Sequence, residues 1–328
     1  MLSRNMAHWL DQRPKSRRLV GILLALSCAL NVTALFLPFI DVHVALEGKE
    51  TYDLLHTVEF LWKSGLPVLA VVVVAFSIVF PFAKLGVLAR VRLAGEPETR
   101  DGWLLSVVEG AGKWSMIDVF IVCFLLGLTS DQWLIGASLR PGLLVFLFAI
   151  MLSLISGELL GRFWHDRFGP STDARHAREP NAGWPEMGLL ACATLAWLGL
   201  LFIPFLAIDD WLLRDNEFTL ARFLLGLGEQ GASGVAVILG LVLVAVPLAR
   251  YVVGWWWWTR SRRGLDTEIQ LRWLPTLQRW SMLDVFLAAL VIFLLEGEAL
   301  MSLRAQYGVL FLAVILITDL LAISRRRG

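Results

Sequence analysis

The octapeptide Lys-Trp-Ser-Met-Ile-Asp-Val-Phe at 113–120 returns 166 residues later as Arg-Trp-Ser-Met-Leu-Asp-Val-Phe at 279–286, with six of eight residues identical. The same offset pairs Pro38 with Pro204, Gly65 with Gly231, Pro81 with Pro247 and Lys84 with Arg250. A chain that repeats in fixed register over this distance is built from two related units, each with the same element order.

Those units are membrane units. The hydrophobic fraction is 57% and the mean hydropathy +0.69, against about 45–50% apolar residues in soluble domains. A hydrocarbon core of about 30 Å takes about 20 apolar helical residues. Leu19–Phe39, Leu66–Phe82, Leu143–Leu160, Leu189–Ile208, Ala232–Val253 and Gly308–Ile323 meet that need. The runs behind the repeated octapeptide, Ile117–Leu128 and Leu283–Leu295, are shorter. At 1.5 Å per residue they reach only about 18–20 Å, so each spans by taking charged neighbours into the membrane. The expected fold is an all-α polytopic bundle of eight transmembrane helices in two parallel four-helix repeats.

Orientation follows from the basic residues, most of which fall in the N-terminal arm, the segments 90–113, 162–178 and 250–279, and the tail Arg325–Arg327. Cationic segments stay cytoplasmic, which puts both termini on that side. An even number of spans per repeat inserts both copies the same way, related by an axis along the membrane normal. The domains expected are a cytoplasmic arm over 1–18, a first repeat over 19–165, a linker over 166–187 rich in proline and glycine, and a second repeat over 188–328 with its basic tail. Leu19–Pro38 follows basic residues as a signal peptide would, yet it exceeds the length of an h-region and reads as an uncleaved first helix.

After the first helix of each repeat, Leu54, Val58 and Leu61 recur as Leu220, Leu224 and Leu227. This spacing predicts short interfacial helices, stopped at Gly65 and Gly231 where the chain turns back. Trp255–Trp258 ahead of Arg260, Arg262 and Arg263 reads as an aromatic belt with basic anchors.

Charges inside the apolar runs are the candidate functional groups. Lys84 and Arg250 each follow a helix-distorting proline, and Asp118 and Asp284 enter at matching depth within the repeated motif that also holds Trp114, Ser115, Met116, Trp280, Ser281 and Met282. Lys84–Asp118 and Arg250–Asp284 are the expected ion pairs. Two roles stay open for them: gating or coupling the movement of a substrate, or fixing helix packing. Glu158 and Asp319 are further intramembrane candidates, although neither recurs at the common offset and an interfacial position suits each.

Several classes of chemistry are disfavoured. The five histidines fall outside the membrane runs and none neighbours Ser115 or Ser281, which argues against a hydrolase triad or bis-histidine haem. Cys28, Cys123 and Cys192 are isolated, without disulfide or zinc spacing. No phosphate-binding G-x-x-x-x-G-K-[ST] occurs. No enzyme activity, cofactor, metal or nucleic-acid partner is expected, and a net charge of +1 carries no message about an acidic partner.

The repeated Trp-Ser-Met-(Ile/Leu)-Asp-Val-Phe, with Leu-Phe-Leu-Pro-Phe at 35–39 and Leu-Phe-Ile-Pro-Phe at 201–205 upstream, resembles the paraquat-inducible protein A family over roughly 19–160 and 188–324. The resemblance implies a multi-pass protein of the bacterial inner membrane that partners a periplasmic MCE-domain protein and moves phospholipid between membranes. Typical members carry zinc-ribbon cysteine pairs ahead of each membrane unit. Met1–Arg18 and Arg162–Met187 contain no cysteine, so metal binding does not carry over. Two other readings stand beside lipid transport: a non-transporting scaffold for the periplasmic partner, and an ion-coupled exporter of small molecules.

Overall fold

The computed structural model describes residues 14–44, 48–63, 65, 67–93, 104, 107–108, 110–129, 135–168, 183–210, 213–229, 231–297 and 303–327. The expected arm up to residue 13 and the centre of the linker lie outside them.

The chain is mostly helical. Helix α1 (Pro14–Phe36) leads through strands β1 (Pro38–Val44) and β2 (Gly48–Asp53) into the short helix α2 (Leu54–Lys63). A long helix over 67–93, α3, follows, then a 3₁₀ turn Gly112–Met116, α4 (Ile117–Thr129), β3 (Ile135–Leu139) and α5 (Pro141–Phe168). The second repeat runs α6 (Trp184–Phe202), β4 (Leu206–Asp210), β5 (Leu213–Phe218), α7 (Leu220–Glu229), α8 over 233–262, α9 (Glu268–Trp280), α10 (Leu283–Gly297), β6 (Leu303–Ala305) and α11 (Gly308–Arg327). Among the described residues, six helical stretches are long and apolar enough to cross a membrane, and Gly308–Ala322 is a shorter apolar one. The sixth, Glu268–Glu296, includes the break at Ser281–Met282 that separates α9 from α10. The chain is a multi-pass membrane protein.

The expectation of a purely helical protein needs one correction. Each repeat carries a three-stranded antiparallel sheet, ordered β2-β1-β3 in the first and β5-β4-β6 in the second. Backbone groups of a segment leaving a helix need partners, and β1 finds them in β2 and β3 while β4 finds them in β5 and β6.

Two compact units result: one comprises Met1–Val119 and Trp133–Arg175, the other Phe120–Gln132 and His176–Gly328. In the first, Val20, Leu24, Leu85, Leu88, Val91, Val108 and Leu160 form an apolar core. Ser27 Oγ donates to the Ala149 carbonyl at 2.8 Å, tying α1 to α5. In the second, Phe124, Phe205, Phe223, Phe286 and Phe293 interlock, with the Phe124 centroid 5.2 Å from Phe286 and 5.5 Å from Phe293. Edge and tilted geometries of this kind add to the burial of the rings.

The two Leu-Phe-x-Pro-Phe corners act as seats for a helix start. A Cβ on Gly142 would lie 2.4 Å from the Pro38 carbonyl oxygen, and one on Gly308 would lie 2.7 Å from Phe205 Cα. The first turns of α5 and α11 therefore reach the corner only because glycine stands there. Elsewhere, Gly65 and Gly231 both adopt φ of 79°, the left-handed turn that ends α2 and α7 as expected. Those helices bury Leu54 and Leu61, and Leu220 and Leu227. Their N-termini are capped at matching positions: Asp53 Oδ1 accepts from the His56 N–H at 2.8 Å, and Thr219 Oγ1 from the Arg222 N–H at 3.2 Å.

Two predictions follow from this packing. Gly142→Ala and Gly308→Ala should each cost about 1–3 kcal/mol, the usual penalty of overpacking, read as a lowered unfolding midpoint in detergent. Burial works to raise the Asp53 carboxyl, but its backbone and ring contacts with His56 outweigh that and hold it below its ordinary value of 3.8. Because the folded value is depressed, the cap contributes fully above about pH 3.8 and fades as the pH falls through the lowered value. Amide exchange over 54–58 should rise in that acid range, and Asp53→Ala, which removes about 0.5–2 kcal/mol of capping, should abolish the pH dependence.

Candidate functional site

Both long helices change pitch at the same place. In α3 the turn Val74–Val79 is π-helical, and in α8 so is Leu241–Ala245. Each lies just ahead of a proline, Pro81 or Pro247. Proline has no N–H to offer the carbonyl four residues back and its ring crowds that carbonyl, which frees the carbonyls of Ser77 and Leu243. The freed Leu243 oxygen accepts the Trp197 indole N–H at 3.4 Å. Such widened turns recur at functional positions in membrane and soluble helices.

In the first unit the widened turn presents Ser77, 1% exposed, whose hydroxyl donates to Asp118 Oδ2. The other carboxylate oxygen accepts from the Val119 N–H at 2.8 Å. Asp118 is 3% exposed and opens α4, a position where the helix dipole favours an acceptor. The repeated motif supplies the approach to it. Ser115 Oγ bonds back to the Gly112 carbonyl at 2.8 Å and closes the 3₁₀ turn, while Met116 is wholly buried beneath it.

Lys84 stands two turns beyond Ser77, about 10 Å along α3 at 1.5 Å per residue. It is 2% exposed, and its ammonium has no hydrogen-bond acceptor among the described residues. A Cβ on Gly112 would come within 3.1 Å of both Nζ and Leu154 Cδ2. The expected Lys84–Asp118 ion pair is therefore absent from the structure: Asp118 belongs to Ser77, and Lys84 lies against glycine and leucine.

The second unit solves the same problem differently. Arg250 donates to Asp319 in a bidentate pair, Nη1 to Oδ2 at 2.7 Å and Nη2 to Oδ1, with side chains 13% and 17% exposed. Asp284, its expected partner, remains within electrostatic range of the guanidinium and has Oδ1 on the Val285 N–H at 3.0 Å. Arg250 thus stands between two carboxylates, with direct contact to the one the sequence placed at the interface. Ser281 and Met282 are buried at the break before α10, and Trp114 and Trp280 are both partly buried. Glu158 accepts from Arg162 Nε at 3.0 Å, one turn along α5, with the arginine half-exposed, an interfacial pair of modest worth.

Sequence reasoning missed Ser77 and the Arg250–Asp319 contact. A signal for the second was present. Where the first repeat has Lys84 and Ser153, the second has Arg250 and Asp319 at the common offset, so cation and partner change together. The Trp255–Trp258 run engages the arginines that follow it. Arg260 stacks over Trp256 and Arg262 over Trp184 and Trp258, but Trp257 is 5% exposed and faces the interior.

The bidentate pair makes a sharp energetic prediction. Arg250→Met or Asp319→Leu alone should cost up to about 3–5 kcal/mol by stranding a largely buried charge, and the double variant should recover much of that loss. A double-mutant cycle of detergent-denaturation midpoints checks it, and additive losses would refute the pairing.

The family model for paraquat-inducible protein A matches residues 17–165 and 186–327, one stretch for each repeat. A curated relative, the lipophilic envelope-spanning tunnel protein A of Escherichia coli (strain K12), is 26% identical over 118 residues, which is 34% of this chain. The match spans about a quarter, 27%, of that relative's own length. No solved structure matches the chain at a significant level. With both repeats matched almost end to end, the chain belongs to the paraquat-inducible protein A family.

Proposed function

We propose that this protein is the inner-membrane subunit of an intermembrane phospholipid transport system, passing lipid to or from a periplasmic MCE-domain partner. In this reading the bundle has eight spans, counting the short helices α4 and α10, with both termini cytoplasmic. The two sheets and the helices α2 and α7 then face the periplasm. Family membership and the name of the curated relative, a lipophilic envelope-spanning tunnel protein, support a role in moving lipophilic molecules.

The observation that carries the proposal is Lys84. An ammonium without an acceptor inside a helix bundle costs several kcal/mol, and such groups are kept where a substrate or proton passes. A phosphate headgroup supplies the acceptor that the described residues lack. Ser77, two turns back along α3, and the Asp118 it bonds on α4 add a second polar step, so the first unit offers buried polar groups within apolar walls. Acyl chains would remain against those walls.

The scaffold reading has one observation in its favour: Leu55 and Trp62 on α2 and Leu225 on α7 are 50%, 62% and 70% exposed. These are contacts a periplasmic partner could cover.

Copurification from native membranes in mild detergent, with mass spectrometry of bound protein and lipid, tests both readings alongside a fluorescent-phospholipid transfer assay in proteoliposomes. Lys84→Met and Asp118→Asn should lower transfer by about tenfold or more, the equivalent of 1.4 kcal/mol in a barrier, while the partner still copurifies. Full transfer by both variants would remove the intramembrane polar groups from the mechanism. A partner retained without any lipid, and lost on Trp62→Ser, would favour the scaffold.

A further inference from the structure

The second unit contains an open cleft at the end opposite its sheet, among α6, α8, α9 and α11. Its polar lining comprises Arg250, Asp319, Tyr251, Glu186, Gln278 and Thr318, and its apolar lining includes Leu189, Leu190, Ala193, Trp257 and Leu274. Tyr251 is 2% exposed, yet its hydroxyl has no hydrogen-bond partner among the described residues. A buried phenol without a partner costs free energy that a bound acceptor would return.

The first unit shows what this place becomes when it holds nothing. At the common offset, Val20, Leu24, Leu85, Leu88, Val91 and Val108 stand for Glu186, Leu190, Tyr251, Gly254, Trp257 and Leu274. Those six first-unit residues belong to its closed apolar core. The second copy has replaced Val20 by a carboxylate, Leu85 by a phenol and Leu88 by glycine, each change adding polarity or removing volume at one spot. Drift in a buried core does not open space and line it with hydrogen-bonding groups without a loss of stability.

The lining also selects a ligand class. One guanidinium and two carboxylates face the cleft, a formal charge of −1. A purely anionic headgroup would add to that charge in a low-dielectric site, whereas a ligand carrying both signs would not. We propose that the cleft binds a phospholipid whose headgroup joins a phosphate to a primary ammonium. The phosphate takes Tyr251 Oη and the N–H groups of Arg250 that Asp319 leaves unused. The ammonium lies toward Asp319 and Glu186, and the first acyl carbons run along Leu189, Leu190 and Leu274. This rests on the reading that the chain handles phospholipid and adds the headgroup and the place.

The test uses the full chain in nanodiscs of equimolar phosphatidylethanolamine and phosphatidylglycerol, with retained lipid read by native mass spectrometry. Phosphatidylethanolamine should be retained by about tenfold over phosphatidylglycerol, a preference worth about 1.4 kcal/mol. Gly254→Leu, which restores the first unit's residue, and Ala322→Trp at the rim should both abolish that retention. Tyr251→Phe should weaken it with the cleft volume unchanged, and Asp319→Asn should shift the preference toward phosphatidylglycerol. Equal retention of both lipids by the wild type, or unchanged retention in Ala322→Trp and Tyr251→Phe, would overturn the proposal whether or not Gly254→Leu folds. The readout needs no partner and no transfer. Selective retention with no lipid transfer would therefore sink the transport reading alone, and transfer without selective retention would sink the cleft alone.

Discussion

A proline four residues beyond a helical carbonyl is the constraint on which both units turn. In water such a break would be repaired by solvent, but in a membrane bundle the freed carbonyl must find a protein partner or remain a cost. The chain accepts the break twice, at Pro81 and Pro247, and both long helices widen there into π-turns. Ser77, Lys84, Arg250 and Tyr251 lie within two turns of one of these points, and Asp118 and Asp319 bond to groups that do. The widened turn exposes Ser77 to Asp118 in one unit and draws the Trp197 indole onto Leu243 in the other. The break is thus an entry point for polar chemistry into an apolar helix.

From that shared start the units diverge. The first leaves its cation bare and closes its core with leucine and valine. The second neutralises its cation with Asp319 and opens its core with glycine, tyrosine and glutamate. A guanidinium held by two hydrogen bonds to one carboxylate keeps its remaining N–H groups in a fixed direction, whereas an ammonium without an acceptor among the described residues has no such anchor. One scaffold thus holds its matched cations in two different ways.

Much of this was legible in the sequence, for identifiable reasons. Apolar runs give the long helices because the bilayer sets their length. Gly65 and Gly231 mark turns because only glycine takes φ of 79° without strain. The sheets are not legible: Pro38–Val44 and Leu206–Asp210 are short, carry acidic residues and begin inside the apolar runs Leu19–Phe39 and Leu189–Ile208, so their first residues read as the ends of membrane helices. Pairings were the other failure. Counting depth from the ends of the apolar runs puts Lys84 and Asp118 at one level, but the 3₁₀ turn at Gly112–Met116 sets Gly112 against Lys84 and carries Asp118 on to Ser77, two turns away along α3. No periodicity announces that turn. Asp319 was read as interfacial because it breaks the repeat, although a departure from the repeat is also where a second copy acquires something of its own.

The fixed register has a practical consequence for protein engineering. From Pro38 and Pro204 to Gly142 and Gly308, every matched landmark keeps the offset of 166, so the copies differ over that stretch by substitution without a net change in length. A segment of one repeat can be grafted onto the other with its junctions in step, and the matched corner glycines offer natural crossover points. Few membrane bundles carry their own reference copy in the same polypeptide. Here a chimera that transfers the second unit's core into the first separates what the scaffold requires from what each copy has been shaped to do.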